Sequence, residues 1–194
     1  MVNITSRKLP TKKKGGILIS AHIGNWSAAG NLLDPLDTNA HILVYDAEYE
    51  KIKHYMNAVQ TAQKFNVLTT SDDLSHIFKV YEALSKGDLV CVHGDRYLEG
   101  HRTAKRKFLG EDALFPLGPF ILASKFKVPC SFVFAMKVNK KKYHFYATKG
   151  KIYKTPEEAL DEFIQQLEQR IHEYPEQWFN YYNFWDIPQD NSSC

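Results

Sequence analysis

The chain has 194 residues, 44% of them hydrophobic, enough to bury one sizeable core and too few for two comfortable domains. Its 25 lysines and arginines stand against 22 acidic residues, and a net charge of +3 is too small to announce a nucleic-acid partner. Three cysteines without a framework spacing, Cys91, Cys130 and Cys194, argue against a disulfide-stapled or zinc-ribbon protein and for a reducing compartment, with Cys91 and Cys130 as core residues. No stretch approaches the roughly 20 apolar residues that cross a bilayer. The start, "MVNITSRKLPTKKKGG", has charge but no apolar segment of signal-peptide length, so the triplet at Asn3 carries no glycosylation reading. The expected organisation is a basic leader over 1–14, one domain over 15–185 and a tail over 186–194.

In chain order, "GILIS" (16–20) is unalternating and β-branched and predicts a strand buried on both faces. A helix is expected from Asn25, a possible cap, to Asp34-Pro35, and "HILVY" (41–45) is a second buried strand. Residues 47–65 space apolar side chains at three and four and predict an amphipathic helix, followed by "NVLTT" as a short strand. "LSHIFKVYEAL" predicts a helix stopped by Gly87, and "LVCVHG" (89–94) the next strand. The basic stretch from Asp95 to Gly118 reads as a long connection, too long for an idle turn. "PFILASKF" predicts a short helix, "VPCSFVFAMKV" and "KYHFYATKG" two strands. The clearest helix lies between the cap Thr155 and Pro175, and the aromatic end "EQWFNYYNFWDIP" is expected to wrap onto the body. Alternation of strand and helix predicts an α/β fold, a mostly parallel central sheet flanked by helices.

Ligands of such sheets sit at the carboxyl ends of strands, where His22 and Asp95 both stand. An imidazole there, beside a Gly24 that leaves room for a substrate, can take a proton from an attacking hydroxyl or amine and later release it; the plainer alternative is a histidine that hydrogen-bonds the turn. Asp95 can orient a catalytic histidine, hold an acceptor hydroxyl or pair with Arg96 as a local lock. Arg102, Lys105, Arg106 and Lys107, read as one loop, suit the phosphates of a carrier or lipid head group or an anionic membrane, against the alternative of a solvated charged face. No nucleotide-type glycine loop and no G-x-S-x-G elbow is present, and the histidines lack paired metal spacing, so no metal is expected.

These stretches resemble the bacterial lipid A biosynthesis acyltransferases of the lauroyl and myristoyl type, within the wider glycerolipid acyltransferase group. "HIGNWS" (22–27) is similar to the family's H-x-G-N-W-E. "GDRYLEGHRTAKRKFLGEDALFPLGPFILASKFKVPCSFVF" is similar to its later block, with Asp95, Gly100, "FLG" at 108–110 and Gly118-Pro119 at the family's intervals. "LEQRIHEYPEQWFNYYNFW" resembles the closing E-x-x-I-x-x-x-P-E-Q-W, so the likeness spans residues 15 to 185.

The resemblance implies glycerolipid-acyltransferase-like αβα layers and transfer of a fatty acyl group from acyl-CoA or acyl-ACP to a hydroxyl or amine of a lipid or glycolipid acceptor. No cofactor is expected, and the partners are the thioester donor, acyl carrier protein among them, the lipid acceptor and a membrane surface, with no nucleic acid. His22 is the implied general base, and Asn25 with the following helix start the oxyanion site; placement alone makes Asp95 and Arg96 the walls and the basic cluster the phosphate contact, and Trp26 is read as core. The implied location is the cytoplasmic face of the bacterial inner membrane, peripherally held. Family members usually carry a membrane-spanning helix and a long segment ahead of the histidine motif, whereas this sequence starts almost at the first core strand. A second departure is Ser27, where the family has a carboxylate that orients and charge-stabilises the histidine. In a serine-protease triad, replacing the orienting aspartate by its amide costs on the order of 10⁴ in turnover. Three explanations are open at this level: Ser27 silences the enzyme, Asp95 or another acid supplies the charge, or the chain is a non-catalytic acyl-lipid or head-group binding relative.

Overall fold

The structure, a computed structural model, describes residues 15–25, 38–45, 65–70, 75–140 and 142–187. In chain order its elements are β1 (Gly16–Ser20), β2 (Ala40–Tyr45), β3 (Phe65–Thr70), α1 (Ser75–Ser85), β4 (Leu89–His93), β5 (Thr103–Phe108), β6 (Glu111–Pro116), α2 (Gly118–Phe126), β7 (Cys130–Asn139), β8 (Lys142–Ala147) and α3 (Pro156–Glu173), then a 3-10 turn, Pro175–Gln177.

The short apolar runs assemble into a six-stranded sheet of order β3-β2-β4-β1-β7-β8. All its pairings are parallel except β7 with β8, so the fold is the α/β, mostly parallel arrangement that the sequence predicts. β1 lies between β4 and β7, and a strand so placed must be apolar on both faces. Ile17 and Ile19 point into the main core, while Leu18 joins Ala40 and Leu89 in a second cluster on the other face. The main core is built on rings: Phe163 of α3 meets Phe120 of α2 at 5.4 Å between centroids and Phe132 of β7 at 5.5 Å. Thr155 caps α3 by accepting from the Glu158 N–H at 3.2 Å, and Glu157 and Glu158 sit at the positive end of the helix.

Two expectations are corrected. The basic stretch after Asp95 is no plain connection: β5 and β6 form an antiparallel hairpin, turning through Leu109 (φ 51°) and Gly110 (φ 94°). Its alternation is masked in the sequence because Arg106 occupies a slot on the inward face otherwise held by Ala104, Phe108, Ala113 and Phe115. Arg106 can sit there because its guanidinium reaches Asp161 of α3, Nε to Oδ1, at 2.6 Å. The amphipathic helix predicted over 47–65 lies outside the described residues except at its end, where Phe65 is already in β3, paired opposite Ala40. The helix predicted from Asn25 to Pro35 also lies outside the described residues beyond Asn25.

The aromatic end packs onto the body only in part, for Phe179, Tyr181 and Tyr182 stay exposed. Phe184 is buried against Phe108 (5.2 Å) and Phe115 (5.5 Å), Trp178 stands edge-on to Phe108 (5.7 Å), and Trp185 Nε1 donates to the Phe108 carbonyl at 3.1 Å. Because Phe163 is fully buried among other rings, Phe163→Ala leaves a void that the sheet cannot collapse into. Urea unfolding is expected to show a loss of about 3–5 kcal/mol for it, against about 1 kcal/mol for the cap variant Thr155→Ala.

Candidate active site

Register brings the site together. β1 and β4 are neighbours with Ser20 opposite His93, so two residues further along each strand His22 and Asp95 come abreast at the carboxyl edge. The Gly94 N–H donates to the Ser20 carbonyl at 2.9 Å, and the His22 N–H donates to Asp95 Oδ2 at 3.0 Å. The ring follows its backbone: His22 Nδ1 lies 2.9 Å from Asp95 Oδ1 and 3.1 Å from Oδ2. An ionised carboxylate accepts only, so Nδ1 carries the hydrogen and donates it, leaving Nε2 as the basic nitrogen. Asp95 is 1% exposed and the His22 side chain 23%, so the acid is sealed and the imidazole reaches solvent.

The charges are consistent with that geometry. Burial pushes the Asp95 carboxyl up, but the hydrogen bond and charge of His22, with His93 behind, outweigh it and hold the group below its ordinary range. The His93 ring meets His22 edge-on at 4.2 Å between centroids. Burial first, and then the neighbouring His22, hold the His93 pKa down to about 4, so His93 is neutral at pH 7. In the sequence His93 is one of several histidines without metal spacing; the adjacency of β1 and β4 is the signal that identifies it.

The turn after His22 is a left-handed one at Gly24 (φ 67°), and a Cβ there would run into the Ala135 carbonyl oxygen. This corrects the expectation that Gly24 leaves room for a substrate: the space is taken by β7. Three backbone bonds clamp the turn: Gly24 N–H to the Gln177 carbonyl (2.8 Å), Asn25 N–H to the Ala135 carbonyl (2.7 Å) and Phe179 N–H to the His22 carbonyl (2.9 Å). The backbone N–H of Asn25 is therefore spent within the fold. Its side-chain amide donates to the Tyr143 hydroxyl at 3.3 Å.

Arg96 does not lock Asp95. Its guanidinium donates to the Phe179 carbonyl and lies over the Tyr182 ring at 5.7 Å, tying the loop to the C-terminal segment. The basic cluster is not brought together either, because a strand sends successive side chains to opposite faces. Lys105 and Lys107 share Asp112 at 3.3 and 3.1 Å on one face of the hairpin, and Arg106 turns to Asp161 on the other. Arg102, exposed just before β5, makes no ion pair among the described residues. Trp26 and Ser27 lie outside the described residues. Among the described residues no His, Cys, Asp or Glu side chains group to hold a metal, and no helix is long and apolar enough to cross a membrane. Burial raises the Cys91 and Cys130 thiols to about 12, so neither is a nucleophile at neutral pH.

A histidine whose pKa drops on folding binds fewer protons in the native than in the unfolded state, so stability falls as pH falls from 6.5 towards 4. For His93 this slope is at most about 1.4 kcal/mol per pH unit. Denaturant midpoints measured from pH 7 to 4 should fall more steeply in the wild type than in His93→Phe, which keeps a ring and loses the proton site.

Comparison with curated proteins finds no match. Comparison with protein families does: the model for the bacterial lipid A biosynthesis acyltransferases matches residues 3–186, nearly the whole sequence. With the α/β fold and the histidine at its carboxyl edge already in view, this match shows that the chain belongs to the bacterial lipid A biosynthesis acyltransferase family.

Proposed function

We propose that the protein transfers a fatty acyl group from an acyl thioester, carried on coenzyme A or acyl carrier protein, to a hydroxyl or amine of a lipid or glycolipid acceptor, with His22 as the general base. The observation that carries this reading is the bidentate approach of Asp95 to His22 Nδ1 at 2.9 and 3.1 Å. With Nδ1 occupied, Nε2 takes the proton from the acceptor hydroxyl or amine as its oxygen or nitrogen attacks the thioester carbonyl carbon. The carbonyl oxygen becomes an oxyanion; when the carbon–sulfur bond breaks, the imidazolium returns the proton to the departing thiolate. The products are an ester or amide and a free thiol. Asp95 stabilises the imidazolium in between and keeps the ring in one tautomer, the work an orienting aspartate does in a serine-protease triad.

Asp95 thereby supplies the charge that Ser27 does not, and it is a positioning residue, acting through His22. Asn25 is assigned to the substrate through its side chain, its backbone N–H being occupied by Ala135. Of the cations, Arg102 is assigned to phosphate on the donor or acceptor, since Lys105, Arg106 and Lys107 are paired with acids. Arg96 acts as a wall of the site, through the Phe179 carbonyl it holds.

Ser27 by itself favours the rival reading, an acyl-lipid or head-group binding relative that has lost turnover. Transfer from radiolabelled acyl thioester to a lipid extract, on variants shown by circular dichroism to be folded, separates the two. His22→Ala is expected to abolish transfer. Asp95→Asn should lower turnover by roughly 10²- to 10⁴-fold with little change in KM and a displaced pH profile, while Ser27→Ala stays within a few-fold of wild type. Equal losses in Asp95→Asn and Ser27→Ala would remove Asp95 from the role; lipid binding by a wild type that transfers nothing would establish the binding relative.

A further inference from the structure

Large apolar side chains that stay exposed need a reason when they cluster beside a site. The segment after the 3-10 turn leaves Phe179 40%, Tyr181 85% and Tyr182 46% exposed, although Phe184 and Trp185 of the same segment are packed into the body. Its backbone is not loose, for Phe179 donates to the His22 carbonyl and accepts from Arg96. The exposed rings are therefore held next to His22. The tip of the β7–β8 hairpin projects beyond the same edge, because β7 runs parallel to β1 and continues past its end, with Ile19 opposite Phe132 and Gly24 opposite Ala135. Gln177 ties the two features together, accepting from the Lys137 N–H at 2.8 Å and donating to its carbonyl at 2.7 Å. Lys137, Lys140 and Lys142 are exposed at that tip, with Val138 (43% exposed) among them. Glu176 and Asp186 bracket the aromatic segment and Arg96 lies over Tyr182, so the hairpin lysines add to the positive charge of this edge.

We infer that this edge is a docking surface for an anionic lipid bilayer, with Phe179, Tyr181 and Tyr182 seated in the interfacial layer and Lys137, Lys140 and Lys142 against the head groups. Aromatic rings with a polar tip favour the membrane–water interface, and lysines near an anionic surface add attraction that salt weakens. A lipid presented by the bilayer then reaches His22 from the edge on which the imidazole is exposed. The inference rests on the lipid-acceptor reading above, but the surface itself is tested without turnover.

The experiment is co-sedimentation of the full chain with vesicles of phosphatidylcholine alone and with added phosphatidylglycerol. Partitioning should rise with the anionic lipid and fall with salt. Lys140→Glu with Lys142→Glu should cost roughly tenfold or more on anionic vesicles, since each lysine near such a surface is worth roughly fivefold. Phe179→Ser with Tyr181→Ser should weaken binding to both compositions. His22→Ala should bind as wild type does, so a failure of the chemistry leaves this result standing. In detergent, with dispersed substrate, the lysine variant should keep its turnover. Unchanged partitioning in both double variants would overturn the inference, as would a loss confined to binding of acyl carrier protein, which would make the edge a protein interface.

Discussion

The hydrogen-bonded pair of His22 and Asp95 depends on one constraint, the in-register parallel pairing of β1 with β4. Strands far apart in sequence become neighbours, and residues two past Ser20 and His93 then have no freedom to miss each other. Neither side chain is oriented by its own local sequence. Asp95 is oriented by accepting from both the backbone N–H and the ring of His22, and the ring by donating back. A sealed carboxylate without such partners would cost several kcal/mol, so the acid and the imidazole require each other for stability as well as for chemistry.

Around that pair the fold supplies two kinds of support. From below, Gly94 lets the strands close over the core: a Cβ on it would stand 2.8 Å from Ile19 Cγ2 and 3.0 Å from Phe120 Cζ. From above, the turn at Gly24, the end of β7 and the segment after α3 are knitted by backbone hydrogen bonds, so the C-terminal aromatics belong to the site although they are remote in the chain. The neutral His93 packs against the imidazole without competing for a proton at pH 7. These features together leave Nε2 of His22 as the basic atom of the constellation.

Much of this was legible before any coordinates. Unalternating β-branched runs identify strands buried on two faces, the Thr155 and Pro175 brackets identify α3, and the three motifs identify the family that the match over residues 3–186 shows. The positions of His22 and Asp95 at strand ends follow from the same runs. What was not legible is whatever depends on which strands are neighbours. The His22–Asp95 bond, the packing of His93 and the filling of the space beside Gly24 by Ala135 all require the order β4-β1-β7, which no local pattern encodes. The hairpin of β5 and β6 was hidden for a different reason. Arg106 breaks the apolar alternation of the inward face, and its acceptable partner, Asp161, lies on a helix more than fifty residues away. The same alternation explains why four cations close in sequence do not form one anion site.

The tautomer of His22 tests this account most directly. Nitrogen-15 NMR of the imidazole in its neutral form, resolved by comparison with His22→Ala, distinguishes a hydrogen on Nδ1 from one on Nε2. The account predicts the hydrogen on Nδ1, a bare Nε2, and loss of that preference in Asp95→Asn. A hydrogen on Nε2 in the wild type, or a tautomer indifferent to residue 95, would contradict it.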